Sequence, residues 1–330
     1  MKFDLISRLT FLLFALFMMV GCGTQPADSQ VTLPASNVSL QLEWVHQAEF
    51  AGYYVANQEG LYSANGLEVK MISGGPTVNP IDKVALKEVD FAIISNPIDL
   101  LKARQSGQHV VAVAALFQCD ANVWISLAEK NITTPQALKG QRVGLKTTAM
   151  TSFELLLATA NMTLAEVQMV QLADPTIRPL VAGEVDVLLG LVIDEPLLAR
   201  RQGYNINVLT LADQGVILPS DLLIVHEDLL RDKPDLVKRF VQASLKGWEM
   251  TINQPKLGLT ATLRVDETLN VAQQTEMLAE VIKLIQPDSN AIGFMNDDLW
   301  TKIIQLALAQ KLVTQPIEPH QAYTTQFLLP

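Results

Sequence analysis

The chain has 330 residues, with 24 Lys and Arg against 34 Asp and Glu, a formal net charge of -10 and a pI near 4.9. That length exceeds one comfortable core and asks for two domains, or for a two-lobed body of roughly 150 residues per lobe. At 49% hydrophobic and 18% charged residues the composition is that of a folded chain, and the acidic balance, with no basic stripe, excludes a nucleic-acid backbone as partner.

The chain opens with a segment that does not belong to the fold. Lys2 and Arg8 precede an apolar run from Leu9 to Val20, followed by Gly21 and Cys22. The run is well short of the ~20 residues that a membrane-spanning helix needs and suits the apolar region of a secretory signal. Met19-Val20-Gly21-Cys22 resembles the bacterial lipoprotein signal, which implies cleavage before Cys22 and lipid on its thiol. Each buried methylene is worth ~0.8 kcal/mol, so two or more chains would hold the protein on a membrane. Residues 1–21 therefore read as signal peptide, and residues 22–37, polar and Pro/Ser-bearing, as a flexible tether. With Cys22 lipidated, Cys119 has no partner, so a buried unreactive thiol and no disulfide are expected.

From Val38 short β-rich runs alternate with helical stretches. Val38, Leu40, Leu42 and Trp44 fall on one face at period two, predicting a strand over 38–44. A helical segment through Ala56 follows, then a strand over 67–72, a Gly-Gly turn, a further helix, and an apolar run from Val89 to Ser95. Pro97 fits the first turn of the next helix, and a buried strand is expected over 110–116. This alternation implies βαβ units and a parallel sheet.

A second series begins near Asn122. Thr134 and Pro135 suggest an N-cap and first helical position, with Gly140 closing that helix. Strands are expected at 142–145, 167–171, 186–191 and 207–210, and Thr151 with Glu154 reads as a capping box for a helix through Ala160. The last third is helical over 234–252, 270–285 and 297–309. Ligands of open parallel sheets bind beyond the carboxyl ends of the strands. The residues following these strands include aromatics, amides, hydroxyls and an acidic pair, which together suit a planar polar molecule.

Several strings carry a family resemblance: LQLEWVHQAEFAGYYVANQEGLYSANGLEVKMISGG from Leu40, VDFAIISNP from Val89, TPQALKGQRVGL from Thr134, GEVDVLLGLVIDEPLLARRQGY from Gly183 and KPDLVKRFVQASLKGWEMTINQP from Lys233. Their order and spacing resemble the THI5/NMT1-like solute-binding proteins of ABC importers. The resemblance implies an α/β, two-lobed periplasmic-binding fold of type II with a helical C-terminal region. Residues 38–120 and 223–330 would form one lobe and 121–222 the other, with crossings near Asp120 and near 219–222. It also implies closure over a ligand and delivery to a permease and ATPase. Those would be separate chains, since no phosphate-binding Gly-x-x-x-x-Gly-Lys-Ser/Thr loop occurs here. No cofactor is expected.

Thiamine-pyrimidine members of the family carry Trp-x-Pro-Asn-x-x-His after the first strand. Here the stretch from Trp44 lacks Pro-Asn and has Phe50 where the histidine is expected, a variant that also resembles riboflavin importers. Riboflavin is favoured, and a thiamine pyrimidine precursor such as formylaminopyrimidine comes next. Trp44, Phe50 and Tyr53 can stack on a ring, each worth ~0.5–1.5 kcal/mol beyond burial, although a core role is open to each. Gly74 and Gly75 would admit a ligand to backbone N–H groups, or form a plain turn. Asn96 and Gln118 can read ring edges. Thr147, Thr148 and Ser152 lie at a predicted helix start, open to ligand or capping roles. The resemblance places an acidic ligand contact at Glu195, with Asp194 beside it.

Two other classes remain. Fungal relatives make the thiamine pyrimidine, but they use a CCCFC stretch where this chain has TTAMTSFE from Thr147. His46, His109, His226 and His320 form no zinc pair, and no Gly-x-Ser-x-Gly elbow is present. A ligand sensor acting through a separate membrane kinase is the other alternative.

Overall fold

The computed structural model describes residues 35–145, 150–172, 176–285 and 291–328. The chain opens with β1 (Ser36–Gln41), β2 (Leu67–Ile72), β3 (Phe91–Ile94) and β4 (Val110–Phe117). It continues through β5 (Asn122–Leu127), β6 (Arg142–Leu145), β7 (Gln168–Gln171), β8 (Val187–Leu191) and β9 (Ile206–Thr210), and ends its strands with β10 (Ser220–His226). Two five-stranded sheets result, ordered β2-β1-β3-β10-β4 and β7-β6-β8-β5-β9. The chain passes from the first sheet to the second between Phe117 and Asn122 and returns between Thr210 and Ser220.

Why these segments become strands is plain in their side chains. Every residue of β4 (VVAVAALF) is buried, as a strand covered on both faces requires, whereas edge strand β2 keeps Glu68 and Lys70 outward. The principal helices are α1 (Ala51–Gln58), α2 (Pro80–Ala85), α3 (Pro97–Gln105), α4 (Met150–Thr159), α5 (Glu195–Arg201), α6 (Pro234–Asn253), α7 (Pro255–Val265), α8 (Val271–Ile285) and α9 (Asp297–Ala309). Asn79 and Asn96 cap α2 and α3, each followed by Pro at the first helical position. One core joins the first sheet to α1 and α6 through Leu40, Phe91, Val113, Phe240 and Trp248. Within it the rings of Phe91 and Phe240 stack with centroids 4.1 Å apart.

Four expectations need correction. Neither sheet is wholly parallel: β10 runs antiparallel between β3 and β4, and β5 antiparallel between β8 and β9. Both are the first strands after a crossing, and no turn residues marked them in the sequence. The first strand stops at Gln41; Leu42 still enters the core, but Trp44 lies in the following loop. Thr134 makes no capping hydrogen bond, and only a 3₁₀ turn, Pro135–Leu138, forms there. Thr151 sits inside α4, where its hydroxyl donates to Asp99 Oδ1 at 2.5 Å instead of capping.

Helices α1 and α6 approach closely because both contribute glycine at the contact. A Cβ on Gly247 would lie 2.2 Å from the Gly52 carbonyl oxygen, and one on Gly52 would lie 2.1 Å from the Trp248 ring. Overpacking of this kind costs roughly 1–3 kcal/mol, at about 2–4 °C per kcal/mol for a chain of this size. Gly247→Ala should therefore lower the melting point by several degrees, and an unchanged melting curve would contradict the packing.

Candidate functional site

At the carboxyl ends of β1, β3 and β8 lies a narrow cavity of about 40 Å³. The loop after β1 contributes Glu43 and Trp44, the 3₁₀ turn Ala48–Phe50 contributes Glu49, and Ser95 follows β3. The second sheet contributes Asn122 from the start of β5 and Leu189, Gly190 and Leu191 from β8, while Ala121 comes from the first crossing. Asp221, near the start of antiparallel β10, closes the ring. A wider groove of about 880 Å³ shares Glu43 and Ser95 with this cavity and reaches Thr77, Asn96, Asp99, Lys102 and Thr151.

Local geometry fixes the two walls. Buried Gln41 donates through Nε2 to the carbonyls of Leu42 (2.9 Å), Ile72 (3.2 Å) and Ser73 (3.1 Å), tying the β1 loop to the β2 loop. Gly74 N–H donates to the Trp44 carbonyl at 2.8 Å and Gly75 N–H to that of Glu43 at 3.3 Å. A Cβ at Gly74 would come within 2.3 Å of the Leu42 and Glu43 carbonyl oxygens, so only glycine permits that approach. Asp221 has φ +49°, a left-handed conformation that Asp tolerates better than most residues.

The electrostatics are one-sided. Burial pushes the Glu43 carboxyl up to about 8, with the charge of Glu49 adding to the effect and hydrogen bonds from Ser95 opposing it. Glu43 keeps partial exposure toward the cavity and groove it lines. Asp221, 4% exposed, is pushed well above the usual carboxylate range by burial, then by the charges of Glu49 and Glu43. Among the described residues no Lys, Arg or His pairs with Glu43 or Asp221. Nor is any group of three His, Cys, Asp or Glu among them arranged to hold a metal ion. Behind the cavity, burial also raises Asp120, which accepts from Asn122 Nδ2 (2.6 Å) and Ser152 Oγ (2.8 Å). The Cys119 thiol beside it is raised for the same reason.

Of the sequence-predicted residues, Trp44 lines the cavity and Asn96 lines the groove. Asn96 is occupied there: Oδ1 accepts from Ile98 N–H at 2.8 Å, and Nδ2 donates to Ser152 Oγ at 2.8 Å. Ser152 is fully buried in that network. Phe50 and Tyr53 are core residues, Tyr53 standing edge-on to Trp248 at 5.9 Å. The Gly74 and Gly75 N–H groups serve carbonyls of the chain rather than a ligand. Gln118 donates to the Ala115 carbonyl at 2.9 Å, away from the cavity. Glu195 is buried at the start of α5, where Oε2 accepts from Leu191 N–H at 2.7 Å and packs on Gly190, so it shapes the wall from behind. Asp194 Oδ1 accepts from Gln273 Nε2 at 2.7 Å. Cys22, Thr147 and Thr148 lie outside the described residues.

Sequence reasoning passed over Glu43, Glu49, Ser95, Asn122 and Asp221. A usable signal existed in two of them: Glu43 immediately precedes Trp44 in a post-strand loop, and Asp221 is a lone acid at the start of an otherwise apolar run, Leu222–Val225.

The family model described as NMT1/THI5 like matches residues 47–257. The chain is 29% identical to the riboflavin-binding protein RibY of Chloroflexus aurantiacus over 92% of each chain. It is 23% identical to the formylaminopyrimidine-binding protein of Halalkalibacterium halodurans over 95% of this chain and 97% of that one. Its fold is similar to that of the periplasmic aliphatic sulphonate binding protein SsuA from Escherichia coli, with TM-score 0.66, 15% identity, and coverage of 88% of this chain and 97% of that one. The architecture is thus the two-lobed α/β periplasmic-binding fold of type II with a helical C-terminal region.

Glu43 supplies a pH prediction. Unfolded, it loses its proton near 4.5; folded, it keeps it to about 8. A raised carboxyl contributes stability that is complete below the lower value and lost as pH rises through the higher one. Glu43→Gln should therefore melt progressively above wild type from pH 5 to 8, and a constant gap would contradict the assignment.

Proposed function

The chain belongs to the NMT1/THI5-like family, and from that premise we propose that it is the extracytoplasmic solute-binding lipoprotein of an ABC importer. It captures a flat heteroaromatic vitamin, riboflavin before others, and hands it unaltered to a separate permease. The observation that carries this reading is the pairing of the Trp44 indole with carboxyl groups and Asn122 around one slot at the strand ends. An indole offers a stacking face, and the acids and amide read the polar edge of a ring. The adjoining groove, with Thr77, Asn96, Lys102 and Thr151, suits a polyhydroxylated side chain. The fold is shared with a sulphonate binder, but no Lys, Arg or His is among the described residues lining this slot to pair with an anion, which supports a different ligand class.

In this reading residues 38–120 and 223–330 form one lobe and 121–222 the other, although β10 begins at Ser220 in the first sheet, so the second boundary falls inside that strand. Asn96, which caps α3, donates to Ser152 of α4, and Thr151 of α4 donates to Asp99 of α3; in this reading these contacts tie the two lobes together. A ligand favours the closed form only through its greater affinity for it. Formylaminopyrimidine is the second reading, supported by the fit of a carboxyl group to an amino group beside a ring nitrogen.

Riboflavin should raise the melting point of the body beginning at Val31 by mass action, and should be recovered unchanged. Trp44→Ala should weaken binding roughly two- to twelvefold, as loss of stacking worth ~0.5–1.5 kcal/mol implies. A shift produced only by an alkanesulfonate, or consumption of the vitamin, would overturn the proposal. For the anchor, Cys22→Ser should move the protein from the membrane to the soluble fraction of its cell; retention on the membrane would rule out Cys22 as the attachment point.

A further inference from the structure

Asp221 differs from the other acids around the cleft. Asp99 accepts from Thr151, Asp120 accepts from Asn122 and Ser152, and Glu43 is hydrogen-bonded by Ser95. Asp221 lines the cavity while 4% exposed, yet among the described residues its carboxyl has neither a hydrogen-bond nor an ion-pair partner. Buried polar groups are ordinarily satisfied, and each exception calls for a reason. Its left-handed backbone at φ +49° is a further cost that the fold sustains at this position. A ligand entering the cavity supplies the missing partner.

We propose that Asp221 is the specificity-determining residue of the slot, a protonated carboxyl that reads a donor–acceptor edge of the ligand ring. The inference rests on the reading of the cleft as a heteroaromatic site. Its surroundings decide the protonation. Glu43 faces it from the loop after β1, Glu49 from the 3₁₀ turn and the Tyr53 hydroxyl from α1, and none of these can bring a positive charge. Asp221 is 4% exposed, stands beside two further carboxyl groups and has no cation paired to it among the described residues, so it keeps its proton. A neutral carboxyl donates through O–H and accepts through C=O. It therefore matches a ring that presents an N–H next to a carbonyl or ring nitrogen, the edge offered by the imide of a flavin and by an aminopyrimidine. A sulphonate or carboxylate anion lacks the N–H that the carbonyl of this carboxyl would accept from.

Two variants separate this role from a structural one. Asp221→Asn keeps one donor, one acceptor and a side chain tolerant of the left-handed backbone; Asp221→Gly keeps only the backbone. With riboflavin and 4-aminopyrimidine as probes, the Asn variant should bind within a few-fold of wild type. The Gly variant should lose roughly ten- to a hundredfold, as expected when a buried hydrogen-bonding partner is removed. Without ligand, the raised Asp221 carboxyl is worth most to stability at low pH and loses that contribution as pH rises, so Asp221→Asn should gain in melting point over wild type from pH 5 to 8. Wild-type binding by the Gly variant would overturn the proposal. An Asn variant as weak as the Gly variant would also overturn it, since that marks an ionised carboxylate meeting a cation. A wild-type protein that binds neither probe overturns the heteroaromatic reading; a melting gap that stays flat with pH overturns the protonated Asp221, whatever binds.

Discussion

The arrangement on which the site depends is the burial of several carboxyl groups around one small cavity with no cation paired to Glu43 or Asp221 among the described residues. Desolvation alone disfavours their charged forms, and mutual repulsion adds to it. The fold sustains this because the acids sit on well-supported backbone. Glu43 is on a loop fixed by Gln41 and Gly74, and Asp221 is on a strand hydrogen-bonded on both sides. The apolar cores beneath supply the stability that such a polar site gives up.

Two further acids, Asp120 and Asp99, link the surroundings of the cavity to the junction between the two sheets. Asp120 lies in the first crossing and holds both Asn122, which lines the cavity, and Ser152, which begins the contact with α3. Asp99 and Lys102 on α3 meet Thr151 on α4 across the same seam, through hydrogen bonds of 2.5 and 2.6 Å. Occupation of the slot and the fit of α3 against α4 are therefore connected through a few polar side chains.

Much of the fold was legible because its elements are punctuated. Strands 67–72 and 142–145 and helix 297–309 match their expected bounds, each marked by turn or capping residues at its edges. The antiparallel strands β5 and β10 were not legible as such, because partner choice after a crossing is a tertiary matter that local pattern does not encode. At the site, the sequence pointed to the loops that surround the cavity, but only some of the named side chains line it. Aromatic residues after β1 suggested stacking, but only Trp44 reaches the cavity, while Phe50 and Tyr53 bury in the core that orients α1. Glu195 has the right chemistry but turns to the Leu191 amide. Glu43 and Asp221 escaped because acids at strand ends are ordinarily solvated, and only the folded chain shows Asp221 buried and Glu43 half-buried.

The central claim is that the slot holds protonated carboxyl groups at neutral pH. The most direct measurement is the infrared difference spectrum between wild type and a Glu43→Gln, Asp221→Asn double variant at pH 7. The account predicts that a protonated-carboxyl C=O band is present in wild type and lost in the variant. A difference spectrum showing only ionised carboxylate bands would contradict it.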